Sequence, residues 1–322
     1  MLLDNVDPDN NFMNSYIHSL NQNQSQYCTV DDYNDQYSLN SSQLTIFHSN
    51  ICSFHANIDE LSATLSAMAK KPDIIVLTET WLNKCSCAGA DIEGYDSFHT
   101  FRDSESGRGG GVSVFLNSKL ASVHITNLSI SSSSVETAVV TVTCNLFEFV
   151  VLAVYRPHSG TVDSFIGDLG RIICDEALQS RKVVLLGDMN VNLCLNNNRD
   201  VNNFVLELQS MGFFSTISEP TRFPLSSSGS KPSLLDHIWI NFPLQHFSGI
   251  LTNRITDHCP VFIHISCDML VDSKIRISFR DHSPTHILLF KRRLSSVDWS
   301  SCMVGSLDDK LGNFNDIINE IY

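Results

Sequence analysis

Acidic, amide and imidazole side chains recur at the ends of apolar runs in this chain, and they are the residues able to do chemistry together. Asn50 follows LTIFHS (44–49), and Glu79 and Thr80 follow DIIVLT (73–78). Tyr155 and Arg156 follow FVVLAV, Asp188 and Asn190 follow VVLLG, Asp236 opens LDHIWIN (235–241), and Asp257 and His258 precede PVFIHI (260–265). A rigid element can hold a polar side chain in place where the chain leaves it. Singly, such a carboxylate is more often a turn former or a cap. Jointly, three Asp, one Glu, two Asn, one Tyr and one His offer the oxygen ligands that a hard cation such as Mg²⁺ takes. They also supply the parts needed for metal-assisted phosphodiester hydrolysis.

The elements that must position these groups are legible from their pattern. Those four whole runs, with GVSVFL (111–116), VETAVVTVTC (135–144), FEFVVLAVY (147–155) and KVVLLG (182–187), are rich in Val, Ile and Phe and bounded by polar or glycine-containing segments. They read as strands. Apolar residues at three- and four-residue steps predict helices over 56–69, 163–178 and 200–211, with Asp163 as a cap of the second. Hairpin-like pairs fall at 111–127 and 135–155, and LSSSGSKPSL (225–234) reads as a loop. The mixture is not a clean βαβ repeat. It fits an α/β (α+β) fold in which two mixed sheets pack face to face with helices outside.

Charge divides the chain of 322 residues unevenly. Residues 1–43 hold six Asp and no Lys or Arg, and read as a disordered acidic arm. Residues 44–267 have a net charge of -7 and residues 268–322 a net of -1, within a total of -14. An acidic domain is a poor general binder of polyanions, unless its acids hold a divalent cation that reverses the local field. With 43% hydrophobic residues the chain is globular overall. It has no run of about 18 apolar residues, so no transmembrane helix is expected. Its start lacks the basic and apolar regions of a secretory signal, so an intracellular protein is expected. Ten cysteines without a C-x-x-C pair read as reduced thiols.

The ordered series Asn50, Glu79-Thr80-Trp81-Leu82, Arg108-Gly109-Gly110-Gly111-Val112, Tyr155-Arg156-Pro157, Gly187-Asp188-Met189-Asn190, Pro220-Thr221-Arg222-Phe223, Asp236 and Asp257-His258-Cys259-Pro260 resembles the endonuclease/exonuclease/phosphatase superfamily. The likeness is to the apurinic/apyrimidinic-like endonuclease domain of non-LTR (LINE-type) retrotransposons, and it covers residues 44–267. It implies a DNase I-like four-layer sandwich and a Mg²⁺-dependent endonuclease, with Mn²⁺ as a possible substitute. The product would be nicked DNA with 3′-hydroxyl and 5′-phosphate ends. Residues 268–322 resemble the linker before a reverse transcriptase, a domain expected only in a longer polyprotein. DNA is the implied partner, and a nuclear location would follow from that function rather than from a signal. The same fold also serves other phosphoesters (lipid, inositol phosphate, RNA), and a catalytically silent retrotransposon-derived fragment is a further alternative.

The resemblance assigns Glu79, Asn50 and Asp257 to the metal. It gives catalytic roles to Asp188, His258, Asp236, Tyr155 and Asn190, with Asp236 fixing the tautomer of His258. It leaves open whether Asp188 or His258 is the base. Arg156, Thr221 and Thr256 fall on the substrate side. Cys52 stands where the repair enzymes of the superfamily carry Asp, Met189 where Phe is usual, and Thr256 where Ser is usual. Gly109–Gly111 lack the rest of a Walker loop and read as a tight turn. Trp81 reads as packing. Arg102 and Arg108 lie on a loop near the expected site.

Overall fold

The chain is described by a computed structural model over residues 25–38, 43–102, 109–144, 147–195, 197–224, 231–242, 246–266, 284–300 and 304–321. In chain order its elements are β1 (Gln26–Cys28), α1 (Val30–Ser38), β2 (Gln43–Asn50), α2 (Phe54–Ala67), β3 (Ile74–Thr78), β4 (Tyr95–Thr100), β5 (Val112–Asn117), β6 (Ala121–His124), β7 (Glu136–Cys144) and β8 (Phe147–Tyr155). There follow α3 (Val162–Ile173), β9 (Val183–Asp188), α4 (Arg199–Ser210), β10 (Phe214–Ser215), β11 (Asp236–Ile240), β12 (His246–Leu251), β13 (Val261–Ser266), α5 (Pro284–Ser295) and α6 (Leu307–Ile321). All eight expected strands are present.

The strands form two mixed sheets. One runs β1-β12-β13-β2-β3-β5-β4 and the other β10-β11-β9-β8-β7-β6. In a strand, alternate side chains face opposite ways. One set, including Ile46, Val76, Val114 and Ile263 from the first sheet and Val140, Val151, Leu186 and Ile238 from the second, makes the core between the sheets. The other set of the first sheet, including Phe47, Leu77 and Phe262, packs on Phe54, Leu61 and Leu65 of α2. Its counterpart in the second sheet, including Leu152, Leu185 and Trp239, packs on Phe165 and Leu169 of α3 and Phe204 and Leu208 of α4. Each sheet is apolar on both faces because each is covered on both, which yields four layers.

Three local expectations change. Residues 25–38 are not an unstructured arm. β1 pairs in parallel with β12, and Tyr33 of α1 is fully buried, its ring 5.1 Å edge-on from that of Phe262. One aromatic anchor and an open sheet edge order a segment whose composition alone predicts none. Residues 1–24 and 39–42 lie outside the described residues. The 111–127 hairpin is absent, because β5 pairs with β3 and β4 whereas β6 pairs with β7 in the other sheet. Asp163 lies in the first turn of α3, and Thr161 is the cap, accepting from the Ser164 N–H.

Among the described residues, 25–266 form one compact unit, and 284–300 with 304–321 form another. In the second, the expected C-terminal helix is present as α6, and the Trp299 and Phe314 rings lie 5.8 Å apart. No helix of the described residues is long and apolar enough to cross a membrane.

Candidate active site

The period-2 alternation that builds the core also builds the site. His48 and Asn50 continue the inward-facing series of Leu44 and Ile46 on β2, Tyr155 continues that of Val151 and Ala153, and Asp188 that of Val184 and Leu186. Glu136 begins the series of Ala138 and Val140, and Asp236 that of Ile238 and Ile240. Antiparallel pairing brings the starts of β7 and β11 beside the ends of β8 and β9, as the partners Glu136–Tyr155 and Asp236–Asp188 show. The inter-sheet core therefore turns polar at one end.

Asn50 joins the two sheets there. Its Nδ2 donates to Glu79 Oε1 at 3.0 Å and to Asp188 Oδ2 at 2.8 Å. Its Oδ1 accepts from the Cys52 N–H at 3.1 Å. The other Asp188 oxygen accepts from the Asn190 N–H at 3.0 Å. The backbone is unusual around these contacts: Cys52, Ser53, Glu79, Trp81 and Asn190 have φ of 46°, 96°, 51°, 56° and 48°. Non-glycine residues rarely adopt this region, and they hold it only where surrounding contacts impose it. Here the Ser53 and Phe54 N–H groups donate to the carbonyls of Glu79 and Thr80, each at 2.8 Å, tying the two turns together.

Behind this lies a buried chain of polar contacts. Asp236, wholly inaccessible, accepts from Thr221 Oγ1 at 2.6 Å and pairs with His258 Nδ1 at 2.8 Å, both at Oδ2. Its Oδ1 lies 3.1 Å from His48 Nε2. Burial and the neighbouring Asp236 charge push the Asp188 carboxyl up to about 6. Burial opposes charge on His258, but the Asp236 carboxylate outweighs it and holds the imidazole up at about 9. Asp236 also resists its own desolvation and stays well below the usual carboxylate range, held by His258 and His48. Ligand atoms of Asp188, Asp236 and His258 lie within 4.8 Å of one another. That trio is nonetheless a poor metal cage, because both Asp236 oxygens already receive hydrogen bonds.

A second clamp sits beside Tyr155. Fully buried Glu136 pairs with Arg102 Nε at 2.5 Å and accepts the Gly111 N–H at 2.6 Å. Burial pushes the Glu136 carboxyl up, against the opposing pull of Arg102 and Gly111. The Arg102 guanidinium lies 5.6 Å from the centre of the Tyr155 ring. Burial, Glu79 and Asp188 raise the Tyr155 phenol, so it stays protonated as a donor. The triple glycine is indeed a turn. All three residues have positive φ, and the carbonyls of Gly111 and Gly110 accept from the Thr80 and Trp81 N–H groups at 3.3 and 2.8 Å. A Cβ on Gly110 would lie 2.3 Å from Arg102 Nε.

A cleft of about 140 Å³ opens onto this network, lined by Asn50, Cys52, Glu79, His158, Asp188, Asn190, Arg222, Asp257 and His258. Tyr155 lines an adjoining cleft with Trp81 and Arg102. Six of the expected metal and catalytic residues thus meet at the first cleft, and Asp236 stands behind His258. The three expected substrate-side residues are used otherwise. Thr221 is fully buried, with its hydroxyl on Asp236. Arg156 is only 8% exposed, with its guanidinium on the carbonyls of Asn190 and Gly160. Thr256 Oγ1 donates to the Asn50 carbonyl and accepts from the His258 N–H. All three brace backbone groups around the site. Arg108 lies outside the described residues.

Sequence reasoning missed His48, Glu136, His158 and Arg222, whose Nε binds Asp257 Oδ2 at 2.8 Å. His48 and Glu136 carry one signal in the sequence: each is a polar residue on the inward phase of an apolar strand.

The donor set fits a hard cation. Three carboxylates and two amides line the cleft, and the one permanently cationic side chain among the described lining residues, Arg222, is already paired with Asp257. Oxygen donors of this kind suit Mg²⁺ or Mn²⁺. Glu79 and Asp257 would hold it. Asn50 retains a lone pair on Oδ1 for the purpose, although its amide hydrogens are committed to Glu79 and Asp188.

A model described as the Endonuclease/Exonuclease/phosphatase family matches residues 47–258. No curated protein matches the chain in sequence. Among solved structures it is similar to the endonuclease domain of TRAS1, a telomere-specific non-LTR retrotransposon, at 12% identity and TM-score 0.51, covering 69% of this chain and 98% of that one. It is similar to the Xenopus laevis APE2 catalytic domain at 19% identity and TM-score 0.53, covering 69% and 92%. The AP endonuclease LMAP from Leishmania major gives 15% identity and TM-score 0.56, covering 70% and 88%. At these identities the likeness shows a shared fold.

Proposed function

Since the chain belongs to the endonuclease/exonuclease/phosphatase family, whose members hydrolyse phosphoesters, we propose that it is a divalent-metal-dependent DNA-nicking endonuclease of retrotransposon origin. The observation that carries this reading is the convergence of Asn50, Glu79, Asp188, Asn190, Asp257 and His258 on one cleft. The hydrolytic domain is assigned to residues 44–267, with 25–38 packed on its sheet.

A phosphodiester is already anionic, so hydrolysis needs charge neutralisation and an oriented water. The cation, Mg²⁺ or Mn²⁺, supplies that neutralisation when bound at Glu79 and Asp257 with Asn50. Asp188 accepts N–H groups at both oxygens, as an ionised carboxylate does, and is assigned the proton of the attacking water. His258 gives its Nδ1–H to Asp236, which leaves Nε2 for the scissile phosphate and its developing charge. Asn190 and the Tyr155 hydroxyl donate to phosphate oxygens. Cleavage of the P–O5′ ester would leave a 5′-hydroxyl, so the 3′-hydroxyl and 5′-phosphate products require water to displace the O3′ leaving group from phosphorus. Such a 3′-hydroxyl could prime reverse transcription if residues 268–322 lead into a reverse transcriptase in a longer polyprotein.

The test is nicking of supercoiled plasmid by the full chain with Mg²⁺ or with EDTA, beside Asp188→Ala and His258→Ala. The expected result is Mg²⁺-dependent nicking that either substitution reduces by about 10²-fold or more. Nicking that survives EDTA or both substitutions would remove the assignment. A folded, inactive wild type would shift the reading to a non-DNA phosphoester or a silent relic.

A further inference from the structure

His48 is fully buried on the inward face of β2, two residues before Asn50. Both of its ring nitrogens meet acceptors: Nδ1 lies 3.3 Å from the Val76 carbonyl and Nε2 lies 3.1 Å from Asp236 Oδ1. Oδ2 of Asp236 is already engaged. The Thr221 hydroxyl accepts from the Leu235 and Asp236 N–H groups, so its single hydrogen is directed to Oδ2 at 2.6 Å. His258 Nδ1 meets the same oxygen at 2.8 Å. Oδ1 therefore depends on His48 Nε2–H, the shorter of the two His48 contacts and the one to a charged acceptor.

We propose that His48 is a positioning residue for the hydrolysis: it pins Oδ1 of Asp236 across the two sheets, so that Oδ2 holds the His258 ring by its Nδ1–H and turns Nε2 to the substrate. Asp236 is carried by β11 and His48 by β2, so this contact also fixes the spacing of the sheets behind the cleft. Without it, a buried carboxylate oxygen lacks a donor, and the carboxylate is free to rotate or take up a proton. Either change loosens the bond that orients His258. The catalytic part of the inference rests on the proposed nuclease function.

Three variants separate this role from simple packing. His48→Gln can place an amide N–H near the original Nε2. His48→Asn can place one only near Nδ1, and His48→Phe fills the space without a donor. Plasmid nicking by the full chain with Mg²⁺ should show kcat lowered about 10- to 100-fold in H48N and H48F, with KM little changed, and largely restored in H48Q. In parallel, ¹⁵N-edited NMR of the histidine rings should show the His258 Nδ1–H as a slowly exchanging proton in wild type and H48Q, and lost to exchange with water in H48N and H48F. Equal activity of H48Q and H48N would overturn the proposal, as would an unchanged His258 Nδ1–H signal in H48N. If H48F does not fold, the Gln and Asn pair decides alone. An inactive wild type would defeat the nuclease reading, while the NMR comparison would still judge the His48–Asp236–His258 linkage.

Discussion

Replacing Glu136 with Ala should destabilise the protein by about 4 kcal/mol, and the size follows from what the carboxylate touches. Glu136 is fully buried, and the Arg102 side chain is 15% exposed. Breaking a buried pair from one side costs about 3–5 kcal/mol because the remaining charge is stranded. The partial exposure of Arg102 lets water recover some of that, leaving about 2–3 kcal/mol. The Gly111 N–H loses its acceptor as well, at about 1–3 kcal/mol. Glu136→Gln should cost less, about 2 kcal/mol, since the amide keeps one acceptor for the two donors facing it. Removing both charges with Arg102→Met and Glu136→Gln should cost less than Glu136→Ala alone, because no charge is stranded. Equilibrium urea unfolding of these variants, of Arg102→Met alone and of the wild type measures these values and the coupling between the two sites. A loss under about 1 kcal/mol in E136A, or a coupling under about 0.5 kcal/mol, would refute the view that this pair clamps the glycine turn to the second sheet.

Two further perturbations follow from the same contacts. Gly111→Ala combines a φ of 88° with a Cβ placed 2.6 Å from Thr80 Oγ1, whereas Gly94→Ala has a similar φ of 86° and open space. Thermal melting should show G111A as the less stable by about 1 kcal/mol or more, and equal melting temperatures would count against a packed turn. The second concerns acid sensitivity. Burial and the nearby Lys70 lower His264 from 6.5 to about 4, so between those values the unfolded state binds the proton and the native state does not. Stability from this group is full above pH 6.5 and is lost as pH falls towards 4, by about 2–3 kcal/mol. His264→Asn, which keeps an acceptor for Thr45 Oγ1, should flatten the stability–pH curve over that window. An unchanged slope by urea unfolding at pH 7 and pH 4.5 would contradict this.

Eight strands, the three domain helices and the cluster of polar residues at strand ends are legible in the amino-acid sequence. Apolar periodicity is local, and a two-sided core demands it of every central strand. Asn50, Tyr155, Asp188 and Asp236 are legible as a group because each stands at an end of an apolar run; that they share the inward face is seen in the sheets. Tertiary structure decided matters that depend on a distant partner. Thr221 became a support for Asp236 because β11 starts beside it, and Arg156 was taken up by the carbonyls of a neighbouring turn. Residues 25–38 gained order only from the open edge at β12 and the aromatic contact with Phe262. β5 and β6 separated into different sheets although they are adjacent in the chain. His48 and Glu136 have ordinary local surroundings, and their importance arises from the carboxylate, guanidinium and backbone groups that the facing sheet brings to them. Hydrophobic patterning is written residue by residue along the chain, whereas the partner of a buried polar group is set by where two sheets meet.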